Sequence, residues 1–494
     1  MASARPNLSK TLFQVGLQCH KKLWLQSRRR ELATPPDAAT RARLRMGHVV
    51  GALAHQRWPG GVLVSEAPAR HARAVDRTRE LLADPSVPAV FEAALEHEGI
   101  RVRADAIVRG TSGLELVEVK ASSRLKNEHI TDVAIQLHVA EGMGLAVGAV
   151  GLMHLEPSYV WHGGDYDVER LFTIDDVTER ARASLGDVVT ALPAMRAVLA
   201  ADEAPPIAIG RHCSRPYMCP FKEHCWREAP AHHVTELPSA GRELLGRLEA
   251  ADIADVRDIP ADGFALTAMQ ERVRAATVAG EPRVSYKQLR RSLSALQYPI
   301  TFLDFETWGP VLPVYPGTRP HEVIPFQWSA HIEHADGRIE HREFLWTQAD
   351  DPRPAFVGSL LRALPASGSV VVYSAYEESR LRALAELLPG DGGRLLELFV
   401  ARGVDLLEIV RATVYDPGFH GSFSLKRVLP ALVPDLGYEG MAIADGMAAA
   451  AAYAELIDPA TDRSRREQLA GSLREYCKLD TLAELRLLER LRSL

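Results

Sequence analysis

The chemistry-bearing residues of this chain gather at three places. In Arg103-Ala104-Asp105 and Glu118-Val119-Lys120, an acid on one predicted strand is followed by an acid and a lysine on the next. Residues i and i+2 of a strand share a face, so Glu118 and Lys120 project together, and a hairpin brings Asp105 to them. Two carboxylates at close range hold a hard divalent cation through oxygen. Such a cation generates hydroxide and neutralises charge on a phosphoryl group in transfer, with Lys120 placed to orient or activate the attacking water. The same Glu-x-Lys also makes an ordinary salt bridge on an exposed strand. At the second place, Thr301–Thr307 sets Asp304 and Glu306 two apart on an otherwise apolar strand, a burial that is costly unless cations compensate it. Far downstream, Tyr476 and Asp480 stand four apart, on one face of a helix. The third place is Cys213, Cys219 and Cys225, evenly spaced, with Cys19 far upstream. In a reducing compartment closely grouped cysteines point to metal rather than to disulfides. Cys477 stands alone in a C-terminal helical pattern and reads as a core residue.

The elements that must position these residues are set by the hydrophobic period. Leu8 to Leu25 reads as a helix capped by Ser9, and Ala38 to Arg57 and Ala69 to Ala83 as two more. Ala89 to Ala94, Gly99 to Arg109 and Gly113 to Lys120 read as strands, the last two joined through the turn Arg109–Gly113. Asn127 to Gly142 is a predicted helix, Ala146 to Leu155 a strand, and Asp175 to Ala201 helical. Composition shifts at Glu228-Ala229-Pro230, which marks a boundary. The next stretch is helical and polar, with Ile253, Val256 and Ile259 as a small core, and Leu244 to Pro260 faintly resembles a helix–hairpin–helix that lacks the Gly-x-Gly hairpin. Ile300 to Phe305, Pro325 to His331 and Ser369 to Tyr373 are predicted strands, and Arg465 to Leu491 a long closing helix. The expected class is α/β, with units at 1–230, 231–297 and 298–494.

A chain of 494 residues is too long for one hydrophobic core. Its formal net charge of −6 gives no support to a polyanion partner. The first sixty residues, however, carry eleven lysines and arginines, among them Arg41, Arg43 and Arg45, against Glu31 and Asp37 alone. Such a segment is either a solvated face or a grip on a polyanion. No apolar run approaches the ~20 residues that span a bilayer, and Met1 to Lys10 lacks the apolar core of a signal peptide. A cytoplasmic address without a membrane partner is therefore expected.

The first group resembles the PD-(D/E)XK nuclease core, of restriction-endonuclease-like fold. Nucleases of its RecB-like branch carry a glutamine on the following helix and a histidine upstream, and Gln136 and His55 match them. The resemblance implies that His55, Asp105 and Glu118 ligate metal, with Lys120 and Gln136 assisting catalysis. Ala140 departs from the branch, which has an aromatic residue four after the glutamine. One early and three late cysteines around such a core resemble CRISPR-associated adaptation nucleases and AddB-type helicase–nucleases. This implies a structural [4Fe-4S] cluster on Cys19, Cys213, Cys219 and Cys225, with zinc as the chemical alternative. The second group resembles the DEDDy exonucleases of the ribonuclease-H-like fold, which need an acid between the two ends. Glu377, in Tyr373-Ser374-Ala375-Tyr376-Glu377, fits best, where most such enzymes have an aspartate preceded by an asparagine; Asp405 and, more weakly, Glu378 compete. In that family Asp304, Glu306, the middle acid and Asp480 coordinate two divalent ions about 4 Å apart, Mg²⁺ or Mn²⁺, while Tyr476 positions the water for 3′→5′ release of nucleotides. Ile324-Pro325-Phe326-Gln327, the run Gly421 to Pro430 and Glu475-Tyr476-Cys477 are similar to a bacterial family that fuses a RecB-like nuclease domain to a ribonuclease-H-like one. Lys426 in that run either contacts a phosphate or stands in solvent. The resemblance implies a DNA nuclease with two metal-dependent sites. An RNA substrate and a nucleic-acid-binding scaffold with inactive sites remain as alternatives.

Overall fold

A computed structural model describes residues 7–494 and divides the chain into two compact units. The first comprises Met1–Ala229 with Pro310–Glu322, and the second Pro230–Gly309 with Val323–Leu494. The protein is mixed α/β, and no described helix is long and apolar enough to cross a membrane.

The first unit is built on a seven-stranded sheet: β1 (Leu8–Ser9), β2 (Val62–Leu63), β3 (Ala89–His97), β4 (Ile100–Gly110), β5 (Gly113–Lys120), β6 (Val147–Leu155) and β7 (Phe172–Asp176). The order is β2-β3-β4-β5-β6-β7, with β1 added in parallel to β4. The hairpin β4–β5 pairs Ala106 with Val117, which leaves Asp105 and Glu118 as the next residues along each strand. β6 runs parallel to β5, and the crossover between them contains the helix Asn127–Gly142. That helix buries Val133, Ile135, Leu137 and Val139 completely and carries Gln136 inward with them.

The stretch expected as one helix from Leu8 to Leu25 is two, Lys10–Gln18 and His20–Arg28. Ser9 caps the first through the Leu12 N–H, as its position predicted. Cys19 breaks the run: its backbone is extended, with φ −167° and ψ 123°, and its sulfur accepts the Lys22 N–H as cap of the second helix. Hydrophobic period alone does not reveal a break at a single residue whose neighbours on both sides keep the pattern. The strand Phe172–Asp176 was not expected, and it takes the first two residues of the stretch predicted as helical from Asp175. Pro310–Glu322, drawn from the chain between two strands of the other unit, joins this one: Leu312 is buried with Phe91 and Met153, and the Trp161 N–H binds the Thr318 carbonyl.

The second unit holds β8 (Arg283–Val284), β9 (Ile300–Trp308), β10 (Ile324–Glu333), β11 (Ile339–Leu345), β12 (Val370–Val372), β13 (Gly403–Asp405) and β14 (Val414–Tyr415). Five form one sheet in the order β11-β10-β9-β12-β13, antiparallel on one side of β9 and parallel on the other. β9 is central and its Ile300, Phe302 and Leu303 are fully buried, which accounts for the apolar residues that surround its two acids. The closing helix spans Arg463–Ser493 and buries Leu473, Leu485, Leu487 and Leu488. Residues 231–297, expected as a separate linker, share a core with the rest of the second unit: Val234, Leu248, Val256 and Val273 belong to the same cluster as Phe302 and Leu485.

Candidate metal centres

In the first unit, Glu118 and Lys120 project from one face of β5, and Lys120 Nζ lies 2.6 Å from Glu118 Oε1. Asp105 joins them from β4, its carboxylate accepting the Val119 N–H at 2.7 Å. Gln136 donates to Glu118 Oε2 at 2.7 Å from the neighbouring helix. Two further residues complete the group. Lys10, on the first helix, chelates Glu118 at 3.0 and 3.1 Å, and Asp132, one turn before Gln136, is buried and bonds Lys120. The spacing Asp132-x₃-Gln136 was available in the sequence as a shared helical face. Lys10 carried no such signal, since only the fold brings it to β5.

The charges decide the protonation. Burial raises the pKa of Glu118, yet Lys10 and Lys120 together bring it below the ordinary carboxylate range. Burial and the neighbouring Glu118 charge push Asp105 up to about 8, and Asp132 up to about 6. Three acids thus share two ammonium groups, and Asp132 Oδ1 and Gln136 Oε1 are buried without a hydrogen-bond partner. The donor set fits a divalent cation, in place of the charge Lys10 now supplies. His55 lies differently. It opens a short 3₁₀ turn and stacks on Phe91, centroids 4.1 Å apart. Among the described residues, neither it nor any of Asp105, Glu118 and Asp132 belongs to a set of three potential ligands gathered within 4.8 Å. Ala140 is fully buried, so the aromatic residue of the resembled branch has no room there.

In the second unit four carboxylates gather, with the charge of Lys426 reaching Glu306 and Asp480. Asp304 and Glu306 lie on β9, Glu377 in the first turn of the helix Tyr376–Leu387, and Asp480 on the closing helix. Glu306, Glu377 and Asp480 are at most 8% exposed. Burial first, then mutual repulsion, raises Asp304 and Glu306 well above the usual range. Burial likewise pushes Glu377 up to about 7 and Asp480 up to about 6. Ser374, just before this helix, has φ 140°, a conformation L-residues rarely adopt, and its hydroxyl accepts the Tyr376 N–H. The sharp turn brings Glu377 to the acids, where its Oε2 has no partner. Asp405 caps its own helix through the Glu408 N–H at 3.2 Å while its charge still reaches Glu377, and Glu378 pairs with Arg382.

Tyr476 is buried one turn before Asp480, and its hydroxyl accepts a hydrogen bond from Lys426 at 3.0 Å. Tyr438 donates to Asp480. One turn after Asp480 sits Glu484, 1% exposed, accepting the Tyr373 N–H and raised well above the ordinary range by burial. The helical series Tyr476-Asp480-Glu484 was legible in the sequence; Tyr438 was not. Cys477 is a core residue, as expected, but its thiol also faces Asp304 Oδ2 at 3.6 Å. Asp304, Glu306, Tyr476 and Asp480 line an open cavity of about 480 Å³. Buried like charges with orphaned oxygens and solvent access fit divalent cations.

The cysteines Cys19, Cys213, Cys219 and Cys225 line one cavity with Lys21 and Lys22. Burial is the main cause that raises the Cys219 and Cys225 thiols above their ordinary range. No three of these four sulfurs lie within 4.8 Å of one another.

A family described as a domain of unknown function (DUF2779) matches residues 301–424. The match takes in Asp304, Glu306 and Glu377 and stops before Lys426, Tyr476 and Asp480. No curated protein matches the chain.

The raised carboxylates set a pH dependence. A carboxyl whose folded pKa exceeds its unfolded value binds more protons when folded, so stability falls as pH rises. For Asp480 and Glu377 the loss runs from unfolded values near 4 through about 6 and about 7. Metal-free protein is expected to melt at a lower temperature at pH 8 than at pH 5.5. Asp480→Asn flattens that slope, and saturating Mn²⁺ abolishes most of it. Differential scanning calorimetry across this range checks it.

Proposed function

We propose that the protein is a metal-dependent phosphodiester hydrolase, a DNA nuclease with one active site in each unit. The observation that carries the reading is the meeting of Asp304, Glu306, Glu377 and Asp480 from a central strand, a helix start and the last helix, beside Tyr476 and an open cavity. The ribonuclease-H-like DEDDy reading requires acids from those three places, and the central position of β9 in its sheet supports it. Divalent cations held by these carboxylates would lower the pKa of an attacking water and offset charge on the phosphoryl oxygens. Tyr476, its hydroxyl fixed by Lys426, orients the water for 3′→5′ release from a single-stranded end. Lys426 also offers a positive charge to the scissile phosphate.

The hairpin β4–β5 with the helix behind it supports a RecB-like PD-(D/E)XK reading of the first unit. There Asp105 and Glu118 would hold the metal and Lys120 would orient the nucleophile, while Gln136 fixes the Glu118 carboxylate. Lys10 is a second lysine in contact with the same acid. The exposed Arg41, Arg43 and Arg45 on the helix Ala38–Ala54 give a backbone-binding face, which predicts salt-dependent binding. For the cysteines we favour [4Fe-4S] over zinc, with the protein in the reducing cytoplasm. Four sulfurs around one zinc at ~2.3 Å would stand roughly 3.8 Å apart, closer than the spacing here allows for any three.

Digestion of end-labelled single-stranded DNA and RNA with Mn²⁺ tests the catalytic reading. Asp480→Asn is expected to abolish nucleotide release from the 3′ end, and Asp105→Asn the remaining cleavage. Lys426→Ala lowers the first activity by about 10–100-fold. Unchanged digestion by both acid variants would leave a nucleic-acid-binding scaffold as the reading, and digestion of RNA alone would reassign the substrate. Separately, anaerobically purified protein is expected to be brown with about four irons per chain. Cys19→Ser and Cys213→Ser should lose the colour, whereas colourless wild-type protein holding a zinc that these two variants lose would decide for zinc.

A further inference from the structure

His232, Glu236 and His420 form a cluster in the second unit that the proposed catalysis does not use. His232 precedes a short 3₁₀ turn containing Glu236, and His420 ends another, Pro417–Phe419, in the left-handed region at φ 49°. One donor atom from each side chain lies within 4.8 Å of the other two. His420 Nδ1 stands 3.2 and 3.3 Å from the two oxygens of Glu236, and His232 Nδ1 stands 3.6 Å from Oε2. The His420–Glu236 contact lies within hydrogen-bond reach, the His232–Glu236 contact is longer, and the two imidazoles stack with centroids 5.1 Å apart. The same spacings also match the edge of a tetrahedron around an ion, since bonds of ~2.0–2.1 Å put ligand atoms roughly 3.4 Å apart.

The backbone holds the donors where they are. The His232 carbonyl accepts the Val256 N–H at 2.7 Å, and the Glu236 N–H binds the His233 carbonyl at 2.8 Å. Gly421 packs so closely that a Cβ there would stand 1.6 Å from the Glu236 carbonyl oxygen, so only glycine lets the His420 loop approach. The Gly421 N–H is bound by the Tyr415 hydroxyl at 3.1 Å. Glu236 and the two imidazoles are partly exposed, with side-chain exposures of 22%, 18% and 37%, which leaves a route for an ion and a water as fourth ligand. Arg427 is the cation whose charge also reaches Glu236.

We propose that His232, Glu236 and His420 bind a divalent transition-metal ion, Zn²⁺ by ligand type. Two imidazoles and one carboxylate suit Zn²⁺ and not Mg²⁺ or Ca²⁺, which take oxygen. The ion clamps the segment 232–236 to the loop that leads through Gly421 into the helix Leu425–Leu432 and its Lys426. Neither the cysteine site nor the carboxylate centres enter this inference, and it stands whether or not the protein is a nuclease.

Full-length protein equilibrated with Zn²⁺ and freed of loosely held metal is assayed for zinc content. Wild type is expected to hold one zinc per chain more than the double variant His232→Ala/His420→Ala, and Glu236→Gln, which keeps both imidazoles, to bind that ion at least tenfold more weakly. Equal zinc content in wild type and the double variant overturns the proposal. Should the double variant fail to fold, anomalous diffraction at the zinc edge from wild-type crystals soaked in Zn²⁺ decides. A peak within bonding distance of all three side chains upholds the site, and no peak there overturns it.

Discussion

Carboxylates crowded into a protein interior repel one another and have lost the water that would screen them. Two unit charges 4 Å apart at an effective dielectric near 20 interact by about 4 kcal/mol, and desolvation adds several more for each buried ion. In the second unit Asp304, Glu306, Glu377 and Asp480 are gathered this way, with Glu484 behind them and Lys426 as the cation their charges meet. Without metal, the protein relieves the repulsion by holding protons. The rest of the unit is arranged to keep the acids together in spite of that cost. β9 is fixed between β10 and β12, the strained turn at Ser374 carries Glu377, and a closing helix with four fully buried leucines fixes Asp480.

The first unit solves the same problem differently. Glu118 is neutralised by two lysines, one from its own strand and one from the N-terminal helix, while Asp105 is left protonated near neutrality by burial. An ammonium group stands in part for the cation. The two sites should therefore differ in their appetite for metal: the second gains relief from repulsion when a cation enters, whereas the first must displace a lysine to gain it.

What the sequence disclosed was governed by distance along the chain. Glu118 and Lys120 on one strand, Asp304 and Glu306 on another, and Tyr476 with Asp480 on a helix share faces by local periodicity, and the structure groups each pair as that periodicity requires. Asp132 and Glu484 obey the same rule, one turn from Gln136 and Asp480, but burial of an acid cannot be read from spacing. Lys10, Tyr438 and the turn at Ser374 were illegible, because their roles depend on tertiary approach. The break at Cys19 was hidden by a hydrophobic pattern that continues through it. His55, which the resemblance implies as a ligand, stacks on Phe91.

If relief of buried repulsion is what the second unit is built for, cation binding there must be tight and must depend on the acids together. Electron paramagnetic resonance of the full chain titrated with Mn²⁺ reads this directly. The account predicts a pair of spin-coupled Mn²⁺ ions that disappears in Asp304→Asn while the binding of Mn²⁺ elsewhere persists. A spectrum identical in wild type and Asp304→Asn, with no coupled pair, would contradict it.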